Sequence, residues 1–385
     1  MKTFQIKKIA YYLFLGVLTV LFINCSKDDP KDPEPQQISG CTNPDATNYN
    51  ANATEDDGSC ILPKAEVEGC MDPNSINYNS SATLDNGSCL YNCTDPLAEN
   101  FNEDAESDNG TCSYSGDLTI QFTENPEEYT RKILLEVVSG TWSGWSVDAP
   151  LKVSDLAENY DNVIASYFYN DSGYLTNESF YTYINDIFNV QAIPGGMINR
   201  RASIESGDYI MSRQEWEANM EELSDESAQT GMAISTMINN DNELEIFLEA
   251  GFNGELEKVA LHVYLLEDGL VEGQFNYYSY EYGDDFQSHP FHNELSYITD
   301  YVHNDVFREA LTPLEGLEIP NEVIAEQGKF QRMFKISDLS NYNTDNLKIV
   351  AFVAKNGESI DQKYILNAQL LTVNGDGSLA VQDYD

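Results

Sequence analysis

The placement of the cysteines constrains this chain more than any other feature. All seven lie within the first 112 residues. Six of them form three pairs with identical internal spacing: Cys41 and Cys60, Cys70 and Cys89, and Cys93 and Cys112. Paired cysteines in a small, exported segment indicate a disulfide framework. The whole chain has 41% apolar and 11% aromatic residues, enough for an ordinary hydrophobic core.

Residues 41–112 are an internal repeat with the pattern C-x-[ND]-P-x-[AS]-x-N-[YF]-N-x-x-A-x-x-D-[DN]-G-[ST]-C in each unit. Each unit has one aromatic and almost no aliphatic side chains, so it cannot fold without a covalent or metal staple. Six cysteines allow about fifteen pairings. The symmetry of the repeat favours the local ones, Cys41–Cys60, Cys70–Cys89 and Cys93–Cys112. Each bridge would contribute roughly 3 kcal/mol of stability in the chain-entropy model.

Oxygen donors recur at fixed positions of the repeat. Hard oxygen ligands closed by a glycine turn suit Ca²⁺, although the spacing is not that of an EF-hand. The alternative is that Asn and Asp cap turns and tolerate left-handed backbone. The candidate calcium ligands are Asn48, Asn50, Asp56, Asn77, Asn79, Asp85, Asn100, Asn102 and Asp108.

The amino terminus has the pattern of an export signal. Three lysines precede an uncharged apolar run over residues 9–23, too short for a typical membrane span. The run ends Leu21-Phe22-Ile23-Asn24-Cys25, which resembles a bacterial lipobox. We therefore expect a lipoprotein signal peptide over residues 1–24 and lipid on Cys25; the alternative is an uncleaved anchor helix. Residues 25–40 are charged and proline-rich, typical of a disordered tether.

The charge balance excludes some partners. The net charge is −45 at pH 7 and becomes more negative when the lysines of the leader are removed. Such a surface repels nucleic acid and anionic lipid. We therefore expect no nucleic-acid partner, and membrane attachment through lipid on Cys25 only.

Residues 117–228 alternate strand and helix patterns. An apolar strand over 132–138 leads into Ser143-Gly144-Trp145-Ser146, followed by a helix over 149–160, a strand over 163–169 and a helix over 177–188. Ile193-Pro194 and another strand follow. This order resembles a thioredoxin fold, with Pro194 at the position of that fold's cis-proline. The alternative is an ordinary trans loop, the default for most X-Pro bonds.

A narrower resemblance covers roughly residues 130–373. The Thr141-Trp142 turn, Ile198-Asn199-Arg200 and the segment YVHNDVFR at 301–308 are similar to the Omp28-related outer-membrane lipoproteins of Bacteroidota. Members often carry Cys-x-x-Cys where this chain has Ser143 and Ser146, and a second histidine where it has Asp305. Disulfide exchange needs a thiolate nucleophile and a thiol leaving group. The two serines therefore predict a degenerate redox turn, no catalytic residue and no enzyme activity.

Residues 229–373 contain short apolar runs separated by Asn-, Asp- and Gly-rich turns, which favours a β-sandwich. Residues 374–385 are predicted to be a flexible tail.

Two local patterns allow a second interpretation. His289, His292 and His303 could ligate a metal or have structural roles. The tyrosine-rich run 277–282 could stack a glycan or peptide, or form a strand.

The predicted fold class is thus α/β plus all-β: disulfide-stapled repeats over 41–114, a thioredoxin-like domain and a carboxy-terminal β-sandwich. The expected function is a lipid-anchored outer-membrane lipoprotein that binds or scaffolds an unknown protein, peptide or glycan. Lys27-Asp28-Asp29 resembles the surface-export signal of Bacteroidota lipoproteins and predicts a cell-surface location. The alternatives are a thiol-disulfide oxidoreductase relative working with another protein's cysteines, and a purely structural envelope protein.

Overall fold

The structure is a computed structural model that describes residues 36–71, 75, 77–89, 92–105, 107–119, 122, 128–171, 173–254, 256–324 and 328–384. The predicted signal peptide, Cys25, Lys27-Asp28-Asp29 and most of the predicted tether lie outside these residues. Within them, no helix has the length and apolar character to cross a membrane. The chain divides into two compact units, Met1–Glu66 and Val67–Asp385.

The first repeat lies in the first unit and the other two lie in the second. The disulfides are Cys41–Cys60, Cys70–Cys89 and Cys93–Cys112, which confirms the local pairing. Small parallel ladders join Ser39–Gly40 (β1) to Glu55–Asp56 (β2), and Glu68–Gly69 (β3) to Leu84–Asp85 (β4). The predicted tether over 25–40 therefore ends early, because its last two residues are already paired as β1.

Strands and helices alternate after the repeats. The elements are Ile133–Ser139 (β5), Asp148–Asn159 (α1), Val163–Tyr169 (β6), Glu178–Phe188 (α2), Gly195–Ile198 (β7) and Trp216–Ser224 (α3). Every residue of β5 is buried, as expected for a run of Ile, Leu and Val at the centre of a sheet. The α2 helix begins at Glu178 because the Asn177 side chain accepts a hydrogen bond from the Phe180 amide.

Strands dominate the remainder. They are Thr230–Ile238 (β8), Leu244–Phe252 (β9), Val259–Glu267 (β10), Leu270–Val271 (β11), Gln274–Phe275 (β12), Tyr297–Ile298 (β13), Val302–His303 (β14), Val306–Ala310 (β15), Leu317–Glu318 (β16), Lys329–Ile336 (β17), Leu347–Lys355 (β18), Ile365–Thr372 (β19) and Ala380–Gln382 (β20). Short 3₁₀ turns occur at Tyr280–Tyr282, Pro290–Asn293, Asn321–Val323, Thr344–Asn346 and Ile360–Gln362.

Two sheets organise these strands. The larger has the order β19-β18-β10-β15-β6-β5-β7, with β16 also paired to β10. The smaller has the order β17-β9-β8-β20. Buried Leu, Ile, Val and Phe side chains from both sheets form one core, which includes Leu248, Phe252, Leu261, Val263 and Ile349. A β-rich fold is therefore confirmed.

The larger sheet crosses the predicted domain boundary at residues 228 and 229. Strands β5 and β6 are parallel, and β15 adds beside β6 through a parallel contact between Val306 and Tyr167. Residues 117–228 and 229–373 are therefore not two separate domains. The prediction of a boundary is wrong here because strands from the later region complete the sheet of the earlier one.

The predicted flexible tail over 374–385 is also structured. Ala380–Gln382 pairs with β8, and Tyr384 is buried. The Tyr384 hydroxyl donates to the buried Glu249 carboxylate at 2.7 Å, and its ring packs beside Phe122 and Tyr129. One aromatic residue therefore anchors a segment whose composition is otherwise Gly- and Asp-rich.

Candidate functional site

The turn after β5 meets the loop before β7. The Ile193–Pro194 peptide bond is cis, as predicted. The Ser143 hydroxyl donates to the Ile193 carbonyl oxygen at 2.9 Å. The contact places the first position of the Ser143-Gly144-Trp145-Ser146 turn directly against the residue that precedes the cis-proline.

Both serines of this turn are buried, with 3% and 4% of Ser143 and Ser146 exposed. The Ser146 hydroxyl has no hydrogen-bond partner among the described residues. A serine acts as a nucleophile only when a neighbouring base takes its proton. In the described part of the chain, neither hydroxyl bonds to a histidine, lysine or carboxylate. The turn thus has neither thiols nor an activated hydroxyl.

A long excursion, residues 270–303, runs over the turn; we call it the cover segment. Its Phe275 amide donates to the Thr141 carbonyl at 2.8 Å, and its Tyr277 amide donates to the Gly144 carbonyl at 3.0 Å. The buried Gln274 side-chain amide also donates to the carbonyls of Thr141 and Ser143 at 3.1 and 3.0 Å. A side chain at Gly144 would collide with the Tyr277 ring, so this close approach requires glycine.

Aromatic rings gather where the cover segment crosses the turn. Trp145 makes edge contacts with Tyr277, Tyr278 and Phe286, with ring centroids 5.3 to 5.8 Å apart. Tyr277 contacts Tyr282 in the same way. We call these five residues the aromatic face. Trp145, Tyr282 and Phe286 are exposed by 39%, 56% and 36%, so the face reaches solvent. The strand interpretation of residues 277–282 is wrong, because Tyr280–Tyr282 forms a 3₁₀ turn.

Charged side chains fasten the cover segment to α1. Asp148 accepts from Arg213 at 2.6 Å and lies 3.1 Å from the His289 ring nitrogen. The His289 ring stacks on Tyr278 at 3.6 Å between centroids. Arg213 also donates to the Trp145 carbonyl at 2.8 Å. These contacts explain His289 structurally.

The other two histidines also bond to protein groups. His292 lies 3.1 Å from the Tyr278 carbonyl. His303 is hydrogen-bonded to the Tyr169 hydroxyl at 2.9 Å, and burial lowers the pKa of His303 to about 4. Among the described residues, the one group of three potential metal-ligand side chains is Cys93, Asp108 and Cys112. The structure therefore does not bring the three histidines together.

The oxygen donors of the repeats mainly hold backbone. Asn48, Asn77 and Asn100 donate to the carbonyls of Ser59, Ser88 and Thr111 at 2.6 to 2.7 Å. The remaining candidates each accept from an amide two residues on: Asn50, Asn79, Asn102, Asp56, Asp85 and Asp108. These are the turn-capping geometries that short Asn and Asp side chains favour.

A buried ion pair lies behind the turn, and sequence reasoning missed its acidic member. Arg200 donates to both carboxylate oxygens of Glu136 on β5, at 2.7 and 2.8 Å, and to the Tyr264 hydroxyl at 2.7 Å. Burial alone would lower the pKa of Arg200, but the Glu136 carboxylate outweighs it, so the pKa is raised. In the sequence, the signal for this pair is Glu136, a charged residue at the centre of the apolar run 133–139.

Comparisons with known proteins give a family and a fold. The family model described as outer membrane protein Omp28 matches residues 181–374. The structure resembles HBP35 of Porphyromonas gingivalis with a TM-score of 0.51 and 14% identity, over 64% of this chain and 76% of that one. A domain of the outer-membrane lipoprotein Omp28 from the same organism matches with a TM-score of 0.22 and 15% identity, over 38% of this chain and 89% of that one. No curated protein gives a significant match.

Proposed function

This chain belongs to the Omp28 outer-membrane protein family, and from that premise we propose that it is a lipid-anchored binding or scaffold protein with a redox-inactive, thioredoxin-like region. The order β5-α1-β6-α2, followed by a cis-proline and an antiparallel β7, supports the thioredoxin-like assignment. The observation that carries the proposal is the Ser143–Ile193 hydrogen bond, which puts a serine where a reactive thiol would meet the cis-proline loop. Disulfide exchange at that position has no leaving group.

Insulin reduction with a dithiol donor tests the loss of redox activity. The mature chain should give no turnover above buffer. A Ser143→Cys, Ser146→Cys variant is the positive arm, and a Ser139→Cys, Ser146→Cys variant with the wrong spacing is its control. Turnover by the wild-type chain that persists after the six repeat cysteines are reduced and alkylated would show that the oxidoreductase alternative is correct.

The binding role rests on the aromatic face. Exposed aromatic rings in one cluster are enriched at recognition surfaces because they bury large area with little loss of side-chain entropy. An affinity capture from cell envelopes, read by mass spectrometry, should recover a protein, peptide or glycan with the wild type and lose it with Tyr282→Ser. Ile204→Ser, which alters an equally exposed apolar residue elsewhere, is the matched control. Equal recovery with all three proteins would place binding outside the aromatic face, and no recovery with the wild type would favour a purely structural envelope role.

We propose that lipid on Cys25 anchors the protein in the outer membrane and that Lys27-Asp28-Asp29 directs it to the cell surface. Cys25→Ala should leave an unprocessed precursor or a protein outside the membrane fraction. Replacing residues 27–29 with alanine should keep the lipid but leave the protein facing the periplasm. Proteinase treatment of intact cells compares the two forms, and equal protection of wild type and triple mutant would mean that the wild type faces inward.

We also propose calcium as an alternative ligand of the first two repeats, through the Asp-x-Gly turns at Asp56 and Asp85, where the glycine amide contacts Oδ1 of each carboxylate. In the third repeat, Asp108 already accepts through Oδ2 from the Thr94 amide at 3.2 Å and from Arg332 at 3.0 Å. If calcium is bound, EDTA should lower the melting temperature of the mature protein and added Ca²⁺ should restore it. An unchanged melting temperature removes calcium from the proposal.

A further inference from the structure

The third repeat binds an arginine side chain from elsewhere in the chain. Its Asp108 Oδ2 lies 3.0 Å from Nη1 of Arg332, and its Asp95 Oδ2 lies 3.4 Å from Nε of the same residue. Arg332 belongs to β17 of the smaller sheet. Both carboxylates and the guanidinium are largely buried, with side chains 9%, 2% and 12% exposed. The third repeat therefore forms a buried ion-pair cluster with an arginine of an extended strand.

The backbone of that strand is held as well. The Met333 amide donates to Asp95 Oδ2 at 3.2 Å. Gly110, two residues after Asp108, faces Val323 so closely that a side chain there would collide with it. The docking surface of the third repeat is thus the Asp108–Gly110 turn together with Asp95.

The same turn is built in the other two repeats. Gly58 donates to Asp56 Oδ1 at 3.1 Å and Gly87 donates to Asp85 Oδ1 at 3.0 Å, as Gly110 does to Asp108. The bond from the second conserved asparagine amide to the carbonyl of the first cysteine is also kept, at 2.9, 2.9 and 3.0 Å in the three repeats. The modules therefore present the carboxylate from equivalent frames.

The three repeats differ in what contacts this turn. Asp56 and Asp85 are exposed, and nothing lies within 4 Å of the position a side chain would take at Gly58 or Gly87. Among the described residues, no ion pair involves Asp56 or Asp85. We propose that these turns of the first and second repeats are docking sites for an arginine on an extended segment of another protein.

Two observations indicate that the partner is cationic and that it is a different protein. Between Cys41 and Cys112 the only basic residue is Lys64, so the repeats favour a cationic partner. The arginines of the chain are Arg131, Arg200, Arg201, Arg213, Arg308 and Arg332. Each already forms an ion pair within the chain. A second copy of this protein therefore has no spare arginine to offer, and the partner has to be a different chain.

The turns at Asp56 and Asp85 are not identical to the one at Asp108. The residue equivalent to Asp95 is Asn43 in the first repeat, and its Oδ1 accepts from the Asp45 amide at 3.0 Å. An amide cannot replace the second carboxylate that grips Arg332, because its nitrogen is a donor. We therefore expect the Asp56 turn to bind an arginine more weakly than the third repeat does.

Fluorescence anisotropy of a labelled peptide that copies residues 328–337 of this chain tests the proposal, with EDTA present to exclude metal effects. The peptide should bind the full mature protein, and an Arg332→Gln version of the peptide should bind at least 10-fold more weakly. Asp85→Asn in the protein should weaken binding about 10-fold, the scale of one charge-assisted contact. Glu66→Gln removes the same charge from an exposed position outside the three turns and should change affinity less than about two-fold.

Two results would overturn the proposal. One is a peptide that fails to bind at millimolar protein, or that binds equally well without its arginine. The other is an equal loss of affinity in Asp85→Asn and Glu66→Gln, which would reduce the effect to general charge attraction. Circular dichroism of both variants shows whether they keep the wild-type fold. We expect that they do, because neither substitution removes a cysteine.

Discussion

Arg200 places a charge in the buried interior beside the larger sheet, where 3% of the residue is exposed. Its guanidinium lies over the rings of Phe188 and Phe352, at 5.7 and 5.1 Å, while Glu136 and Tyr264 take its hydrogen bonds. The residue reaches them because Asn199 and Arg200 both adopt positive φ, which turns the chain sharply after β7. A buried pair with every contact satisfied is tolerated, but one partner alone is not.

Replacing one member of this pair should therefore be costly. Glu136→Gln leaves the Arg200 charge buried without its counter-ion, and we expect a loss of about 3 to 5 kcal/mol in the free energy of unfolding. Urea denaturation measures it. Glu226→Gln, which weakens half-exposed pairs with Arg131 and Arg201, should cost less than about 1 kcal/mol. Similar losses in both variants would contradict a special role for the buried pair.

His303 gives the fold a defined response to acid. Its pKa falls from 6.5 to about 4 because burial disfavours the charged ring, so the unfolded state binds a proton that the folded state refuses. Stability should be complete above pH 6.5 and should fall by about 3 kcal/mol as the pH drops toward 4.

Denaturation of His303→Gln at pH 7 and pH 4.5 isolates this contribution, since the buried His262 also resists protonation in both proteins. The variant should lose less stability between the two pH values than the wild type. The side-chain amide can still bond to the Tyr169 hydroxyl. Equal slopes in both proteins would show that His303 titrates normally.

At the scale of elements, the cover segment depends on a few polar contacts. Gln274 adds a second hydrogen bond to the Thr141 and Ser143 carbonyls, which also accept from the Phe275 and Ser146 amides. Removing the side-chain amide loses two buried hydrogen bonds, each worth about 0.5 to 1.5 kcal/mol. The loss should destabilise the turn more than the neighbouring strands, because β5 pairs with β6 and β7 and β12 pairs with β13.

Gln274→Ala should consequently speed hydrogen exchange of the amides over residues 140–146 by about 10-fold or more. Mass spectrometry of peptic fragments reads this directly. Gln287→Ala, an exposed change in the same segment, is the control and should leave these amides unaltered. Unchanged protection in both variants would mean that the cover segment does not stabilise the turn.

Local patterns predicted the elements whose partners are close in sequence. The strand expected over 132–138 is Ile133–Ser139, and the helix expected over 177–188 is Glu178–Phe188, because burial and the Asn177 cap are local signals. The cover segment gave no such signal. Its Phe275 and Tyr277 amides bond to a turn more than 130 residues earlier, and pairing at that distance is set by the assembled sheet.

The candidate site divides in the same way. Ser143, Ser146 and Pro194 stood out because a known arrangement puts chemistry at those positions. Gln274 and Glu136 did not, since a buried amide or carboxylate is identified by its partners and not by its neighbours in sequence. Their partners lie 131 and 64 residues away.

For the whole molecule, the continuous sheet implies cooperative folding across the predicted boundary. Phe168 and Phe180 pack on Phe307 and Tyr264, which come from the later region. Residues 117–228 alone would expose these rings and the free side of β6. The two regions should therefore unfold together.

A fragment of residues 117–228 should bind a hydrophobic dye and melt without a cooperative transition, whereas residues 67–385 should melt cooperatively. Circular dichroism and dye fluorescence distinguish the two. If the short fragment melts sharply and binds no dye, the later strands are not needed for its core, and the boundary at residues 228 and 229 would be restored as a folding boundary.

The docking of the third repeat on β17 has a consequence for solubility. β17 pairs with β9 on one side only, and an unpaired strand edge is a template on which other chains can add and aggregate. The Met333 amide points to that open side, where Asp95 occupies it. We expect the contact to be held less firmly while Cys93 and Cys112 are reduced, because the third repeat then lacks its covalent bridge. Formation of that bridge would therefore disfavour edge-to-edge association of chains through β17.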